Sequence, residues 1–179
     1  VLDDMTDSNV SQGTYPIDKE LYALGLTDSS VVLYGNKKYL EAIGARIPTS
    51  VDDAWTREEF EGVTWPIDTF RGYGIKTEWI TYAYGPLLES AGCDLIDRKT
   101  WTASGTLDGE ACVKALTMMQ TWVNNGWVVP TSSGTNQFYA EGQPAALAMG
   151  GHWFYAEAAA AMKDNIVVMP LPKIGEKGV

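Results

Sequence analysis

The sequence is poor in the residues that build metal and redox sites. Its 179 residues include 2 cysteines and 1 histidine, and no CxxC pair occurs. A zinc site made of the usual cysteine and histidine ligands is therefore not expected. Signatures of nucleotide binding and nucleophilic catalysis are missing as well, since the chain contains no P-loop, no GxGxxG and no GxSxG. From these absences we expect no cofactor and no metal.

Basic residues and long apolar runs are also scarce. The chain has 13 lysines and arginines against 23 aspartates and glutamates, which gives a net charge of −10. Such a charge disfavours nucleic acid and anionic membrane surfaces as partners. No apolar run approaches the ~18 residues of a membrane-spanning helix, so the chain is expected to be soluble.

Aromatic residues, by contrast, are abundant, with 7 tryptophans and 9 tyrosines. Many of them can be accounted for by a hydrophobic core. Because flat rings supply large contact areas at a low entropic cost, the surplus indicates an aromatic binding surface.

The two cysteines, Cys93 and Cys112, leave two interpretations open. In an exported protein they can form a disulfide, which would close a loop of about 20 residues and contribute roughly 3 kcal/mol in the chain-entropy model. Alternatively, Cys112 is a small buried residue on a helix and Cys93 is a free thiol in a loop.

Apolar patterning predicts strands that alternate with helices. Strands are predicted at LYALGL, VVLYGN, the end of FRGYGIK, PAALAMG and NIVVMPLP. Helices are predicted at KKYLEAIG, SVDDAWTREEF, EWITYAYGPLLESAG with Pro86 inside it, the segment that follows Asp108, and HWFYAEAAAAMK. The alternation favours an α/β fold in which helices pack on a sheet.

Capping signals set the expected ends of these helices. Thr49 or Ser50 is the predicted N-cap before Trp55, which is expected to be buried. Two further N-caps are predicted at Thr77 and Asp108. Glycines are predicted to end three helices, at Gly44, Gly92 and Gly126. In the helix after Asp108, one apolar stripe is expected to face the core: Cys112, Leu116, Met119 and Val123, widened by Ala115 and Trp122.

The stretch AALAMGGHWFYAEAAAA carries the main functional hypothesis. Ligands of α/β proteins collect where strands end and helices begin. Gly150 and Gly151 would let the backbone turn tightly and let a ligand approach closely. Trp153 would then stack on the flat apolar face of a pyranose, with His152 as its neighbour. The alternative is that the glycines form a packing turn and that Trp153 fills the core.

Two further segments offer candidate ligand contacts. In GYGIKTEWITYAYGP, Trp79 and Tyr82 are three residues apart and share a helix face, so one can line a cleft while the other packs inward. In LTDSSVV, Asp28 and Ser29 suit sugar hydroxyls, although they equally suit a turn. A carboxylate pair that cleaves a glycoside stays open as an alternative, but no spacing indicates one.

Several of these stretches, in their order and spacing, resemble family 1 extracellular solute-binding proteins of ABC importers, in their carbohydrate-binding, maltodextrin-binding-protein-like branch. The resemblance runs from LYALGLTDSSVVLYGNKKYLEAIGARIPTSVDDAW to FYAEGQPAALAMGGHW and VVMPLP. The last long stretch is similar to the family's Phe-x-x-Gly-x-x-Ala-Met-x-x-x-Gly-x-Trp signature. The chain departs from the pattern at Gly35, where a second tyrosine is frequent, and at Gly25, where proline is common.

The resemblance implies an α/β fold with periplasmic-binding-protein-like type II architecture. It assigns residues 1–30 to the end of the N-terminal lobe and a hinge crossing, and residues 31–179 to most of the C-terminal lobe. The chain is much shorter than a two-lobed member, so we expect it to be a piece of one.

The function implied is extracellular binding of a sugar or oligosaccharide for import, without catalysis. The resemblance places Trp153 at the stacking tryptophan, Tyr82 near a second aromatic contact, and Asp28 and Ser29 near polar hinge contacts. Trp79, His152 and Gly151 are neighbours of these positions. The implied partners are the sugar and ABC permease subunits, and the protein is expected to be a monomer outside the cell, at the cell surface through a lipid anchor, or in the periplasm. The alternatives are a secreted glycoside-active enzyme and a carbohydrate-binding domain unrelated to transport.

Overall fold

The computed structural model describes residues 4–25, 27–64, 72–77, 81–129, 138–139 and 145–176. Contacts within the chain divide it into two compact units, Val1–Ser30 and Val31–Val179.

The first unit is a short helix followed by a turn. Helix α1 (Asp7–Gly13) begins after Thr6, whose hydroxyl accepts a hydrogen bond from the Asn9 N–H at 3.4 Å. The strand predicted at LYALGL is wrong for its described residues, where only Leu21 pairs, in a single antiparallel bridge with Thr14. Leu26 lies outside the described residues. One bridge does not make a strand because the neighbouring N–H and C=O groups do not continue the ladder.

The second unit is built on a four-stranded mixed sheet in the order β2-β3-β1-β4. Its strands are β1 (Val31–Asn36), β2 (Tyr73–Lys76), β3 (Ala145–Gly151) and β4 (Ile166–Met169). Strand β1 lies between β3 and β4 and is antiparallel to both, whereas β2 is parallel to β3. The β1–β3 register pairs Val31 with Gly151 and Tyr34 with Ala148.

Within the described residues of this unit, five helices and a 3₁₀ turn connect and cover the strands. They are α2 (Lys37–Ala42), α3 (Arg57–Thr64), α4 (Thr81–Ser90), α5 (Glu110–Asn124), α6 (Phe154–Met162) and the turn Lys163–Asn165. The predicted α/β fold is confirmed. Pro86 lies inside α4 as expected. The N-cap predicted at Thr77 depends on residues 78–80, which lie outside the described residues, and Trp79 is among them.

The central strands β1 and β3 contribute side chains to two separate hydrophobic clusters, one on each face, because side chains alternate along a strand. Leu33 of β1 and Leu147 and Met149 of β3 join the larger core, which also holds Trp55. Tyr34 and Ala148 point the other way and pack in a smaller cluster with residues of α6. Trp55 is buried as predicted, and its indole N–H donates to the carbonyl of Arg46 at 2.9 Å.

Gly35 sits at a point of close packing in β1. A Cβ at this position would lie 2.7 Å from Met169 Cε and 2.8 Å from Leu40 Cδ1. A side chain there would require the ends of these two side chains to move, so glycine fits the packing at this position.

The helix starts expected at Thr49 or Ser50 and at Asp108 are wrong. Helix α3 begins at Arg57 after a capping box, in which Thr56 N–H donates to the Glu59 carboxylate at 2.8 Å and Glu59 N–H donates to Thr56 Oγ1 at 3.3 Å. Before α5 the N-cap is Gly109, which has no side-chain cap. The Asp108 carboxylate instead accepts a bond from the N–H of Gly105.

The stripe predicted for α5 is half right. Cys112 and Met119 are buried, but Leu116 is 46% exposed and Val123 is 47% exposed. Ala115 and Trp122, which were expected to widen the stripe, are buried, and Met118 is buried with them. The predicted ends at Gly44, Gly92 and Gly126 are confirmed, since these glycines have φ angles of 67°, 85° and 73°.

A disulfide joins Cys93, which follows α4, to Cys112 in the first turn of α5. Both cysteines are buried in the larger core. The disulfide thus holds the start of the loop that connects α4 and α5 against the first turn of α5.

Candidate functional site

The junction of β3 and α6 presents an exposed indole above a glycine. Strand β3 ends at Gly151, and Trp153 occupies the N-cap position of α6. Trp153 is 54% exposed, so its indole does not fill the hydrophobic core. A Cβ at position 151 would overlap the six-membered ring of the indole. Gly151 therefore leaves the space in which the Trp153 ring lies.

The two glycines do not form the tight turn predicted from the sequence. Gly150 and Gly151 both belong to β3, and neither has a left-handed backbone. The turn follows at residues 152–153, where Tyr155 N–H donates to the carbonyl of His152 at 3.1 Å. The requirement for glycine at position 151 is thus steric, because a ring covers its α-carbon.

Three residues singled out in the sequence come together here. The Tyr82 ring, on α4, lies 5.7 Å from the Trp153 ring between centroids, with an interplanar angle of 57°. The His152 imidazole lies 5.8 Å from the indole at 71°. Tyr82 is 38% exposed and His152 is exposed as well. We call Trp153, Tyr82 and His152 the aromatic surface.

A buried layer supports this surface from below. The hydroxyl of Tyr34, which is 1% exposed, donates to the carbonyl of Gly151 at 3.0 Å. Burial, and secondarily the nearby Tyr155, raise the pKa of Tyr34, so the hydroxyl keeps its proton and remains a donor. Phe154 packs on Tyr34 with a centroid distance of 5.1 Å, and the Lys76 ammonium lies 5.8 Å from the Phe154 centroid.

Sequence reasoning missed Tyr34 as a support for the site. The strand VVLYGN was recognised, but the carbonyl that the Tyr34 hydroxyl bonds, at Gly151, is 117 residues away in the sequence. The alternation of VVLY was the available signal, since it puts Leu33 and Tyr34 on opposite faces.

The remaining candidate residues are Asp28, Ser29 and Trp79. Asp28 and Ser29 are exposed residues of the unit Val1–Ser30, where the Asp28 carboxylate accepts a hydrogen bond from Gln12 Nε2 at 3.2 Å. Their contact with a ligand stays a prediction. Trp79 lies outside the described residues, and so does its predicted role.

Among the described residues, no group of three histidine, cysteine or acidic side chains is arranged to hold a metal ion. The helices found there are also too short or too polar to cross a membrane.

The mixed sheet and its covering helices define a class, the type II periplasmic-binding-protein fold, of which this chain contains part. The model of the family of bacterial extracellular solute-binding proteins matches residues 2–178. The chain therefore belongs to that family. No curated protein matches the sequence.

Several solved structures share the fold of this chain. The GacH receptor of Streptomyces glaucescens, described unliganded and in complex with acarbose, is 25% identical with a TM-score of 0.74, and the match covers 98% of this chain and 45% of that one. Maltose-bound MalE3 of T. maritima is 19% identical with a TM-score of 0.76, over 99% and 46% of the two chains. UgpB of Mycobacterium tuberculosis, in complex with glycerophosphocholine, is 18% identical with a TM-score of 0.75, over 98% and 43%. This chain spans less than half the length of each of these proteins.

Proposed function

We propose that this chain is part of the sugar-binding receptor of an ABC importer, and that it binds a sugar or oligosaccharide without changing it chemically. The observation that carries the proposal is the exposed Trp153 ring, held over Gly151 and beside Tyr82. A pyranose has a flat face of C–H groups that packs on such a ring, and its hydroxyls meet polar groups at the edge.

The geometry suits binding of a flat ligand. The Gly151 carbonyl is fixed by the buried Tyr34 hydroxyl, so the strand end beneath the indole is held in place. The aromatic surface needs little reordering when a sugar arrives, because its rings already pack on each other and on the backbone. His152 and the Tyr82 hydroxyl supply the polar edge.

Family membership supports the transport role. In this proposal residues 1–30 are the end of the N-terminal lobe and a hinge crossing, and residues 31–179 are most of the C-terminal lobe. Asp28 and Ser29 supply polar contacts from the hinge, and Trp79 adds to the aromatic contacts. Closure of the lobes is favoured to the extent that the closed state makes extra contacts with the sugar.

The proposed partners and location follow from the same role. The receptor delivers its sugar to ABC permease subunits and acts as a monomer outside the cell, at its surface through a lipid anchor, or in the periplasm. The sugars named with two of the solved structures, acarbose for GacH and maltose for MalE3, belong to those proteins and favour a sugar as the ligand here. Few basic residues flank the aromatic surface, so a phosphate ligand is disfavoured.

The test uses the complete protein that contains this chain. A thermal-shift panel of mono- and oligosaccharides identifies a ligand, because a ligand that binds only the native state raises the melting temperature. Calorimetry with that ligand is then repeated on Trp153→Ala, for which we expect affinity to fall about tenfold or more. Trp101→Ala is the matched control, since its indole is 53% exposed and lies outside the aromatic surface. Unchanged affinity in Trp153→Ala, or turnover of the sugar, contradicts the proposal.

A further inference from the structure

A groove beside the aromatic surface has no role in the site described so far. Its volume is about 470 Å³, and it runs between α4 and the loop that follows it. The helix contributes Tyr82, Gly85, Pro86, Leu88 and Glu89, and the loop contributes Cys93, Asp94, Leu95, Ile96 and Arg98. A volume of this size falls in the range of small-molecule sites.

Tyr82 belongs to both the groove and the aromatic surface. Its ring contacts Trp153 at 5.7 Å and also lines the groove. From Tyr82 to Glu89 the helix rises by about 10 Å, at 1.5 Å per residue. The groove therefore starts where the proposed sugar site ends and leads away from it along α4. Gly85 adds no side chain, so the groove is open to the helix backbone near Tyr82.

The loop wall is fixed before any ligand binds. Cys93 is tied to Cys112 by the disulfide. A few residues later the Asp97 carboxylate accepts a bond from Lys99 N–H at 2.7 Å, and Asp97 N–H donates to the Thr102 carbonyl at 2.9 Å. Because this wall is already ordered, a ligand that enters the groove does not bear the entropic cost of ordering it.

The chemistry of the groove fits a sugar ring. Leu88 and Leu95 give it apolar surface, and Glu89, Asp94 and Arg98 give it two carboxylates and a guanidinium. Within the described part of the chain, none of these three charged side chains makes a hydrogen bond or an ion pair with another residue. Charged donors and acceptors form strong hydrogen bonds with hydroxyl groups.

We propose that this groove is a further subsite, which takes the next pyranose of an oligosaccharide whose first ring stacks on the aromatic surface. This inference rests on the proposed function and makes it more specific, because the ligand is then an oligosaccharide and not a monosaccharide. Tyr82 is the shared wall between the two rings, and Glu89 and Arg98 bond hydroxyls of the ring in the groove.

The experiment measures affinity against ligand length in the complete protein. Calorimetry uses glucose, maltose, maltotriose and maltotetraose, together with the corresponding cello- and xylo-oligosaccharide series. For the series that binds, affinity is expected to rise at least tenfold from the monosaccharide to the oligosaccharides. Glu89→Gln and Arg98→Ala should each reduce oligosaccharide affinity about tenfold and leave monosaccharide affinity unchanged. Glu58→Gln and Lys99→Ala, on exposed side chains outside the groove, are the matched controls. They should change neither the oligosaccharide affinity nor the monosaccharide affinity.

The outcomes separate this inference from the proposed function. If no sugar of any length binds, the proposed function fails and the subsite fails with it. If a sugar binds through Trp153 but affinity is independent of length, or Glu89→Gln and Arg98→Ala behave as their controls, the subsite alone is overturned. If those variants lose thermal stability but keep the length preference, the subsite is also overturned, because Glu89 and Arg98 would then stabilise the fold and not bind the sugar.

Discussion

The indole of Trp153 lies over the α-carbon of Gly151, in the space that a side chain at position 151 would need. The last residue of β3 and the N-cap residue of α6, two positions apart in the sequence, are thus coupled sterically. The exposed ring has a fixed position because the residue beneath it has no Cβ.

Gly151→Ala should displace the ring. We expect the free energy of unfolding to fall by about 1–3 kcal/mol through overpacking, and sugar affinity to fall about tenfold because the stacking surface moves. Gly150→Ala is the matched control, since a Cβ there would meet its nearest atoms, in Phe154, at an ordinary 3.5 Å. Urea unfolding and calorimetry measure the two effects. Equal behaviour of the two variants would show that the ring is not seated on Gly151.

Removal of the disulfide should destabilise the protein. The bridge joins residues with a sequence separation of 19, so the chain-entropy model gives about 3 kcal/mol for its loss. Urea unfolding of Cys93→Ala/Cys112→Ala measures this, and reductant should lower the stability of the wild type while leaving the variant unchanged. Two reactive thiols in the unfolded, unreduced wild type would refute the bridge.

Acid should remove the contribution of the α3 capping box. The pKa of Glu59 is lowered, first by the bond from Thr56 N–H and also by Arg46. A carboxylate whose pKa is lowered on folding stabilises the protein above its ordinary pKa of 4.5, and this stabilisation is lost as pH falls through the lower, folded value.

Glu59→Gln tests this pH dependence. At neutral pH it should cost under about 1 kcal/mol, because the Glu59 side chain is 42% exposed, and the deficit should shrink below about pH 4.5. Urea midpoints measured across this range provide the readout. Glu58→Gln, the adjacent carboxylate in the same first turn, should show no such convergence with the wild type. A deficit in Glu59→Gln that stays constant with pH would contradict the assignment.

The strands and helix ends could be predicted where a single local signal dominates. VVLYGN and PAALAMG are short apolar runs, and Gly44, Gly92 and Gly126 stop helices because glycine adopts a left-handed backbone at low cost. The first residues of the helices were harder to predict from the sequence. Thr49, Ser50 and Thr56 all precede acidic residues, and only the structure shows that Thr56 and Glu59 bond each other.

Burial on α5 could not be resolved from its own periodicity. Both Leu116 and Trp122 are apolar, but Trp122 is buried because Phe60 packs on it at 5.4 Å, and Leu116 has no such cover among the described residues. Which apolar face is buried depends on elements distant in sequence. The sequence did single out the residues of the aromatic surface, whereas the support from Tyr34 depended on a strand pairing that local pattern does not reveal.

The central position of β1 has a consequence for synthesis of the protein. Both of its neighbours, β3 and β4, are made more than a hundred residues later, as the separation of 117 between Tyr34 and Gly151 illustrates. While the chain emerges from the ribosome, the apolar Val31–Asn36 segment has neither edge paired and is prone to associate with other chains. The sheet can therefore form only after β3 and β4 have been synthesised, and its pairings are of the long-range kind that slow folding.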